Sequence, residues 1–436
     1  MATYYVATTG SNDNSGSSET VKVSGTLATT NATATVQLDA GSNLSTVTPN
    51  VDTIRIASRT DGIRTTNIYL ITAVDDGLDQ VTVSPSPGVA SGQAWTIGGP
   101  WQTIDRSADV NQAGDIVYVK ATASYNEAAA FPSGAVGSSS GSCVWEGYTT
   151  TPGDNGIVTM DGTNTLANAI TLPAGSCHMV FRNFRFTDYT GTGFGNNTSS
   201  NLVNCIRCRA DSNGGSGFLL GNACVFLQCK SDTNSNNGFQ LNPTVGSGFC
   251  AFCTSETNGG DGFNMSAGGV CFSCISFSNA TDNFELGGVS NILINCTSDG
   301  DAKDSDNAFR FSGASELQVQ ALINCIAYDC TTGVTAATSQ ENRIISYNNL
   351  VNSNTTAYSN YSTIAGEVTS APSFVNEGTG DYGLSGASPA KDAGISLKDN
   401  PWGNSYTGSD DDIGAIQAGG GSGGGSGSGI LTGGKM

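Results

Sequence analysis

Positive charge is scarce in this chain. Only 17 Lys and Arg stand against 37 Asp and Glu, and 12% of the 436 residues are charged at all. The formal charge of -20 opposes attraction to nucleic acid or an anionic membrane, and favours solubility and cation binding. Histidine occurs once, at His178, with no Ser or Cys nucleophile pattern around it. No apolar run is long enough to span a bilayer. Met1-Ala-Thr-Tyr-Tyr-Val6 has neither the basic nor the apolar region of a secretory leader, so the expectation is a chain that either stays in the cell that made it or leaves by another route, such as lysis or within a particle. Nothing resembles a phosphate-binding glycine loop ahead of a helix. Cys205-x-x-Cys208, Cys250-x-x-Cys253 and Cys271-x-x-Cys274 have no second ligand pair at finger spacing, which disfavours zinc.

What is abundant is glycine, 58 residues of it, together with a short repeating pattern between about Cys177 and Val334. Segments aligned on Phe184, Cys208, Cys229, Cys253, Cys274 and Cys296 carry an aromatic ten residues on: Phe194, Phe218, Phe239, Phe263 and Phe284. After Cys296 the matching Phe309 comes three residues late, which marks a small insertion. Three residues ahead of the anchors are Phe181, Cys205, Phe226, Cys250, Cys271 and Leu293, and five after them Asn213, Asn234, Asn258 and Asn279. A period of 20 to 30 residues rich in Gly, Asn, Ser and Thr predicts a β-solenoid, because these residues suit turns and disfavour helix interiors. Each repeat reads as one coil of a parallel β-helix, with Cys and Phe as interior columns and Asn as a turn column. Thirteen Cys cannot all pair within one chain, and their interchange with Phe and Leu predicts buried, reduced thiols.

Ahead of the repeats, Thr33 to Leu38, Thr53 to Ala57, Asn67 to Ile71 and Gln80 to Val83 alternate as strands, with a turn at Asp75-Asp76-Gly77. Arg55, Arg59 and Arg64 fall in this module and read as a solvated face in preference to an acidic-partner patch. Pro100 to Gly114 has helical spacing, with Gly114 expected at the C′ position, and a helix here would cap the first coil. The expected divisions are a strand and cap at 1–19, an inserted β-rich module at 20–97, a parallel β-helix with closing segment at 98–417, and a tail at 418–436. That tail is Gly/Ser-rich coil ending in an apolar anchor, with Ile430, Leu431 and Lys435 as the expected contacts for other particle proteins or for copies of the chain itself.

Tyr4-Tyr-Val6, Pro100-Trp-Gln-Thr-Ile104, Ala113-Gly-Asp-Ile-Val-Tyr-Val119, Tyr125-Asn-Glu127 and Asp161-Gly162 resemble the opening of right-handed parallel β-helix proteins of the pectate-lyase-like superfamily. Phe374-Val-Asn376, Gly380-Asp-Tyr-Gly-Leu384, Ser388-Pro-Ala-Lys-Asp-Ala-Gly394 and Asp412-Ile-Gly-Ala415 resemble the closing segment. The resemblance spans residues 1–16 and roughly 98–416, and implies an all-β, right-handed, single-stranded parallel β-helix with an N-terminal capping helix. About activity it says little, since such folds carry lyases, hydrolases, epimerases, adhesins and viral spikes.

Chemistry is sought on the outer face. Arg185, Arg209 and Lys230 follow the anchors by one residue, and Asp211, Asp232 and Glu256 by three, so period-2 alternation aims both sets outward. Members that cleave acidic polysaccharides use carboxylates to hold Ca²⁺ and an Arg or Lys as base, so Arg209, Lys230, Asp211, Asp232 and Glu256 are the catalytic candidates of an enzyme reading. The plainer reading makes them cross-strand ion pairs. Asp261 and Asp282, at equivalent offsets, are a weaker cation pair for which exposed turns are the expected explanation. No aromatic stripe accompanies these columns. The sequence therefore favours a structural bacteriophage virion component, such as a head decoration, tail or spike, without cofactor. A lyase or hydrolase acting on cell-surface glycans is the alternative.

Overall fold

The computed structural model describes residues 3–10, 14, 16–27, 34–56, 68–84, 92–132, 137–197, 200–221, 223–241, 248–266, 268–288, 290–300, 306–312, 320–337, 344–360, 366–395, 412–414 and 416. The expected anchor residues Ile430, Leu431 and Lys435 lie outside them, as do Arg59 and Arg64. The chain divides into two compact units, residues 1–214 and 215–436.

In residues 1–214, parallel ladders stack coil upon coil. One runs through Thr3–Val6, Ile116–Lys120, Cys143–Tyr148, Gly175–Arg182 and Ser200–Ile206, and a second through Val158–Asp161, Phe184–Thr187 and Arg209–Asp211. A six-stranded antiparallel sheet between Val21 and Gly98 has its own core, including Val36, Leu38, Ile54, Ile56, Ile71, Val81, Trp95 and Ile97. Helix α1 (Ile104–Val110) starts where the Thr103 hydroxyl accepts from Arg106 N at 3.1 Å. It is shorter than its sequence spacing predicts. Asn111 is already extended, with ψ of 153°, so the helix stops before Gly114. Ile104 and Ala108 are fully buried, and Ser107 accepts from the Trp145 indole at 3.0 Å, which fixes the helix as a cap.

In residues 215–436 each coil contributes three short strands to three parallel ladders. Representative strands are Phe249–Ala251 in the first, Thr254–Glu256 in the second and Phe263–Met265 in the third. Side chains of equal kind stand in register: Phe218, Phe239, Phe263, Phe284 and Phe309 pair in succession. Their rings stack at 5.0, 4.8, 4.9 and 5.2 Å between centroids. Between first and second ladders the chain turns on one left-handed residue per coil, such as Gln228, Phe252, Ser273 or Asn295. Thr233, Thr257 and Ser278 do the same at the next corner. Such residues each cost about 1 kcal/mol, which a repeating corner recovers through hydrogen bonds between coils.

Those bonds are visible in the asparagine column. Asn258 Oδ1 accepts from the backbone and side-chain nitrogens of Asn234, at 3.1 and 3.0 Å, while its own Nδ2 donates to Asn279 Oδ1 at 3.0 Å. Inside the second ladder runs a column of serines, Ser231, Ser255, Ser276 and Ser298, all fully buried. Ser231 Oγ donates to Gly238 O and Ser255 Oγ to Gly262 O, at 2.9 and 3.0 Å. A Cβ at Gly238 or Gly262 would sit 2.1 or 2.0 Å from a serine oxygen, so only glycine fits there. All thirteen cysteines are free and buried, and burial pushes the thiols of Cys253, Cys271 and Cys296 up.

The closing segment packs against the second ladder of this unit. Tyr382 lies tilted against Phe277, with ring centroids 5.1 Å apart, and donates to Asp299 at 2.9 Å, and Phe374 meets Tyr328. Ile413 and Leu384 complete a small cluster with Ile326 and Leu350. Among the described residues no helix is long and apolar enough to cross a membrane.

Candidate functional site

The expected columns point outward as alternation requires, but they are occupied with one another. In residues 1–214, Asp211 is 3% exposed at its side chain, held by Arg185 Nε at 2.7 Å and Arg209 Nε at 3.2 Å. Expected as an open surface carboxylate, it lies beneath two guanidinium groups, one reaching across from the neighbouring strand and one along its own. In residues 215–436, Lys230 pairs with Glu256 at 2.7 Å, and Asp232 is buried beside Glu256 in register. Arg185 with Asp211 and Lys230 with Glu256 are cross-strand ion pairs of the kind a parallel ladder forms, and Arg209 reaches Asp211 along its own strand.

The third ladder of residues 215–436 carries a different arrangement. Its outward positions, one after each stacked phenylalanine, are Leu219, Gln240, Asn264, Glu285 and Arg310. At the corner ahead of them stand Asn237, Asp261, Asp282 and, across the insertion, Asn307. Asn237, Asp261, Asn264, Asp282, Glu285 and Arg310 line an open recess of about 500 Å³ that also takes in Asn236, Thr281 and Asp306.

Each corner residue accepts from the next coil. Asn237 Oδ1 takes Asp261 N at 2.8 Å, Asp261 Oδ1 takes Asp282 N at 3.1 Å, and Asp282 Oδ1 takes Asn307 Nδ2 at 2.6 Å. An amide oxygen would serve this bonding as well as a carboxylate does. Asp261 is further held by Asn264 at 2.7 Å and by the Thr281 hydroxyl. Asp282, expected in an exposed turn, is instead 2% exposed, because Arg310 lies over it with Nη1 at 3.1 Å from Oδ2.

Arg310 Nε also faces Glu285 Oε2 at 3.5 Å, and the Ser312 hydroxyl donates to Glu285 Oε1. Burial pushes the Glu285 carboxyl up to about 7; Asp282 beside it adds to the rise, while Ser312 and Arg310 oppose it. Its Oε2 is shut off from solvent without a hydrogen-bond donor. The recess thus sets a carboxyl that holds its proton near neutrality beside carboxylates fixed by amides and a guanidinium.

Calcium fits this recess poorly. The Asp261 and Asp282 oxygens already accept from Thr281, Asn264, Asn307, Arg310 and backbone, and a guanidinium lies where a cation would have to sit. Among the described residues no group of three or more His, Cys, Asp or Glu is placed to hold a metal ion.

Sequence reasoning reached Asp261 and Asp282 but missed Glu285 and Arg310. The signal was present, since both directly follow a ladder phenylalanine, yet the insertion before Phe309 moves Arg310 out of the repeat's spacing.

No family model and no curated protein matches the chain. Among solved structures it is similar to the pectate lyase Pel9A, at 16% identity and a TM-score of 0.53, covering 73% of this chain and 91% of that one. An alginate lyase from Paenibacillus sp. str. FPU-7 aligns at 8% identity and a TM-score of 0.40, over 60% of this chain and 94% of that one. The fold is therefore that of a pectate-lyase-like parallel β-helix. With it come a capping helix and a small antiparallel sheet.

Proposed function

We propose that this protein acts on polysaccharide, as a glycoside hydrolase whose site is the recess on the third ladder of residues 215–436. One observation carries the reading. Glu285 keeps a proton to about 7 while Asp261 and Asp282 occupy corner positions that Asn237 and Asn307 fill with neutral amides. A hydrolase needs a protonated carboxyl for the leaving oxygen and a second carboxylate to activate water or stabilise the sugar cation. Glu285 serves as the acid. Asp261, the less buried of the two aspartates, serves as the second carboxylate. Arg310 positions Glu285 and holds Asp282.

This reading displaces the virion role favoured from the sequence. That role leaned on the lack of a leader pattern, on unpaired Cys and on a tail that lies outside the described residues, whereas a fold neighbour with a TM-score of 0.53 is a pectate lyase by name. The test is reducing-end release from a panel of purified glycans by the full-length chain. Glu285→Gln is expected to lower the rate by about 100-fold or more, and wild-type activity to decline as pH rises through about 7. Undiminished turnover by Glu285→Gln refutes this site; unsaturated uronide products would replace hydrolysis with elimination.

A further inference from the structure

In residues 215–436 the first ladder is apolar on both of its faces. Its outward positions form two columns in register: Val225, Phe249, Val270, Ile292, Ala321 and Ile345 in one, and Leu227, Ala251, Phe272, Ile294, Ile323 and Tyr347 in the other. None is charged. Ile345 and Tyr347 are each 45% exposed, and most of the others are half-buried. Ala251 and Ala321 are low points in the columns, and Phe272 meets Phe252 edge-on at 5.7 Å, so these three are buried. The alternate positions, such as Phe226, Cys250 and Leu293, already fill the interior. Parallel strands of this composition are ordinarily covered on both sides.

The second ladder of the same unit shows such covering. Its outward residues are charged at Lys230, Asp232 and Glu256; where they become Phe277, Ile326 and Tyr328, the closing segment lies over them with Tyr382, Leu384 and Phe374. Among the described residues that segment goes no further than the corner between the two ladders, where Asn324 Oδ1 accepts from Ile395 N at 2.8 Å. The principal contacts of the first-ladder strands are with their own ladder neighbours.

We propose that this face pairs with the same face of a second copy of the chain, about a two-fold axis parallel to the direction in which the coils stack. Such an axis sets each column opposite the other column of the partner at the same level. Large then meets small: Phe249 lies over the partner's Ala251, Phe272 over the partner's Val270, and Ala321 under the partner's Ile323. Charge favours the same occupant. The other two ladders carry outward carboxylates at Asp232, Glu256 and Glu285, so a basic partner would be drawn to them, whereas two chains of formal charge -20 need a neutral surface on which to meet. Six strands about 4.8 Å apart and about 10 Å wide give a footprint of about 300 Å² per copy. That is the core of an interface whose rim must supply the rest of the roughly 800 Å² that a stable dimer buries on each side, so the association is reversible. The recess on the third ladder is a separate surface, and association and glycan cleavage are read independently.

Sedimentation velocity of the full-length chain from low to high micromolar concentration tests this. The wild type is expected to move toward twice the mass of one chain, and more readily as salt screens the charge on its other faces. Ile292→Lys and Ile294→Glu, near the middle of the face, should each weaken the dimer at least about 10-fold. Val375→Glu, a similar change at an exposed apolar residue of the closing segment, should not. An equimolar mixture of Ile292→Lys and Ile294→Glu chains should recover the association, because the two-fold axis sets position 292 of each chain opposite position 294 of the other and so brings lysine against glutamate. A wild type that stays monomeric throughout, a dimer untouched by both variants, or one equally weakened by Val375→Glu would each overturn the proposal. Folded variants that dissociate but do not recover on mixing would overturn the two-fold pairing. Should the variants misfold, the wild type alone decides: a dimer that weakens as salt rises refutes an apolar contact.

Discussion

Replacing Asn258 by Ala removes the middle of the asparagine column, a position only 2% exposed. The side chain accepts from Asn234 N and Nδ2, and donates to Asn279 Oδ1, to Ser255 Oγ at 3.0 Å and to Ser231 O at 3.3 Å. Asn234 Nδ2 keeps its bond to Ser231 Oγ at 3.0 Å, but the substitution removes the oxygen that Asn258 offers to the Asn234 backbone N–H. Stranding one buried backbone donor costs about 1–3 kcal/mol, and each further bond lost adds about 1 kcal/mol. With four such further bonds the sum is about 5–7 kcal/mol, a large share of the 5–15 kcal/mol by which domains are ordinarily stable. Guanidinium unfolding followed by circular dichroism measures the total. Hydrogen exchange of the peptide containing Asn234 measures the local effect, and does so even where unfolding is not two-state. A water entering the vacated space could restore the acceptor. A loss below about 1 kcal/mol with protection at Asn234 unchanged would therefore refute the claim that inter-coil amide bonds hold this corner.

Two further perturbations probe other parts of the chain. Glu127 is held by Ile104 N at 2.8 Å and Asp105 N at 3.1 Å at the start of the capping helix, and burial pushes its carboxyl from an ordinary 4.5 up to about 7. The folded state therefore binds this proton more tightly than the unfolded one. Its contribution is present in full below about 4.5 and is lost as pH rises through about 7. Wild-type stability relative to Glu127→Gln should fall by on the order of 2 kcal/mol between pH ~4.5 and ~8, and a flat difference in thermal midpoints across that range would contradict it. Asp261→Asn should leave the unfolding midpoint unchanged or raise it, because an amide oxygen can take over the bond from Asp282 N while like-charge repulsion with Asp282 disappears. A drop of more than about 1 kcal/mol would mean that the carboxylate serves the fold and not a ligand.

The interior was legible in the sequence because every coil imposes the same demand on it. Phe263 lies between Phe239 and Phe284, so the aromatic must recur at one offset, and the asparagine column recurs for the same reason. The serine column was equally periodic but passed for turn chemistry; its burial follows only once Gly238 and Gly262 are seen making room for the hydroxyls. The outward charges were placed on the correct face, whereas the burial of Asp211 was not legible. It depends on how the Arg185 side chain reaches across from the neighbouring strand and how Arg209 folds back along its own, which spacing does not encode. The helix end escaped for a local reason: Asn111 is extended, and Asp115 Oδ2 accepts from Gln112 N at 2.9 Å, so the turn is made before Gly114.

The same contrast locates the site. A stacked ladder favours like on like for rings and amides, since each neighbour satisfies or covers the next, but it penalises like on like for charge. Along the corner column Asn237 and Asn307 are neutral, and Asp261 and Asp282 between them set like charge beside like. The molecule then surrounds the breach with Thr281, Asn264 and Arg310, and places Glu285 where burial keeps it protonated to about 7. A chain selected for stiffness alone would have continued the asparagines. In residues 215–436 the breach, the raised carboxyl and the recess coincide, the recess drawing on four successive coils, which is the pattern the proposed site requires.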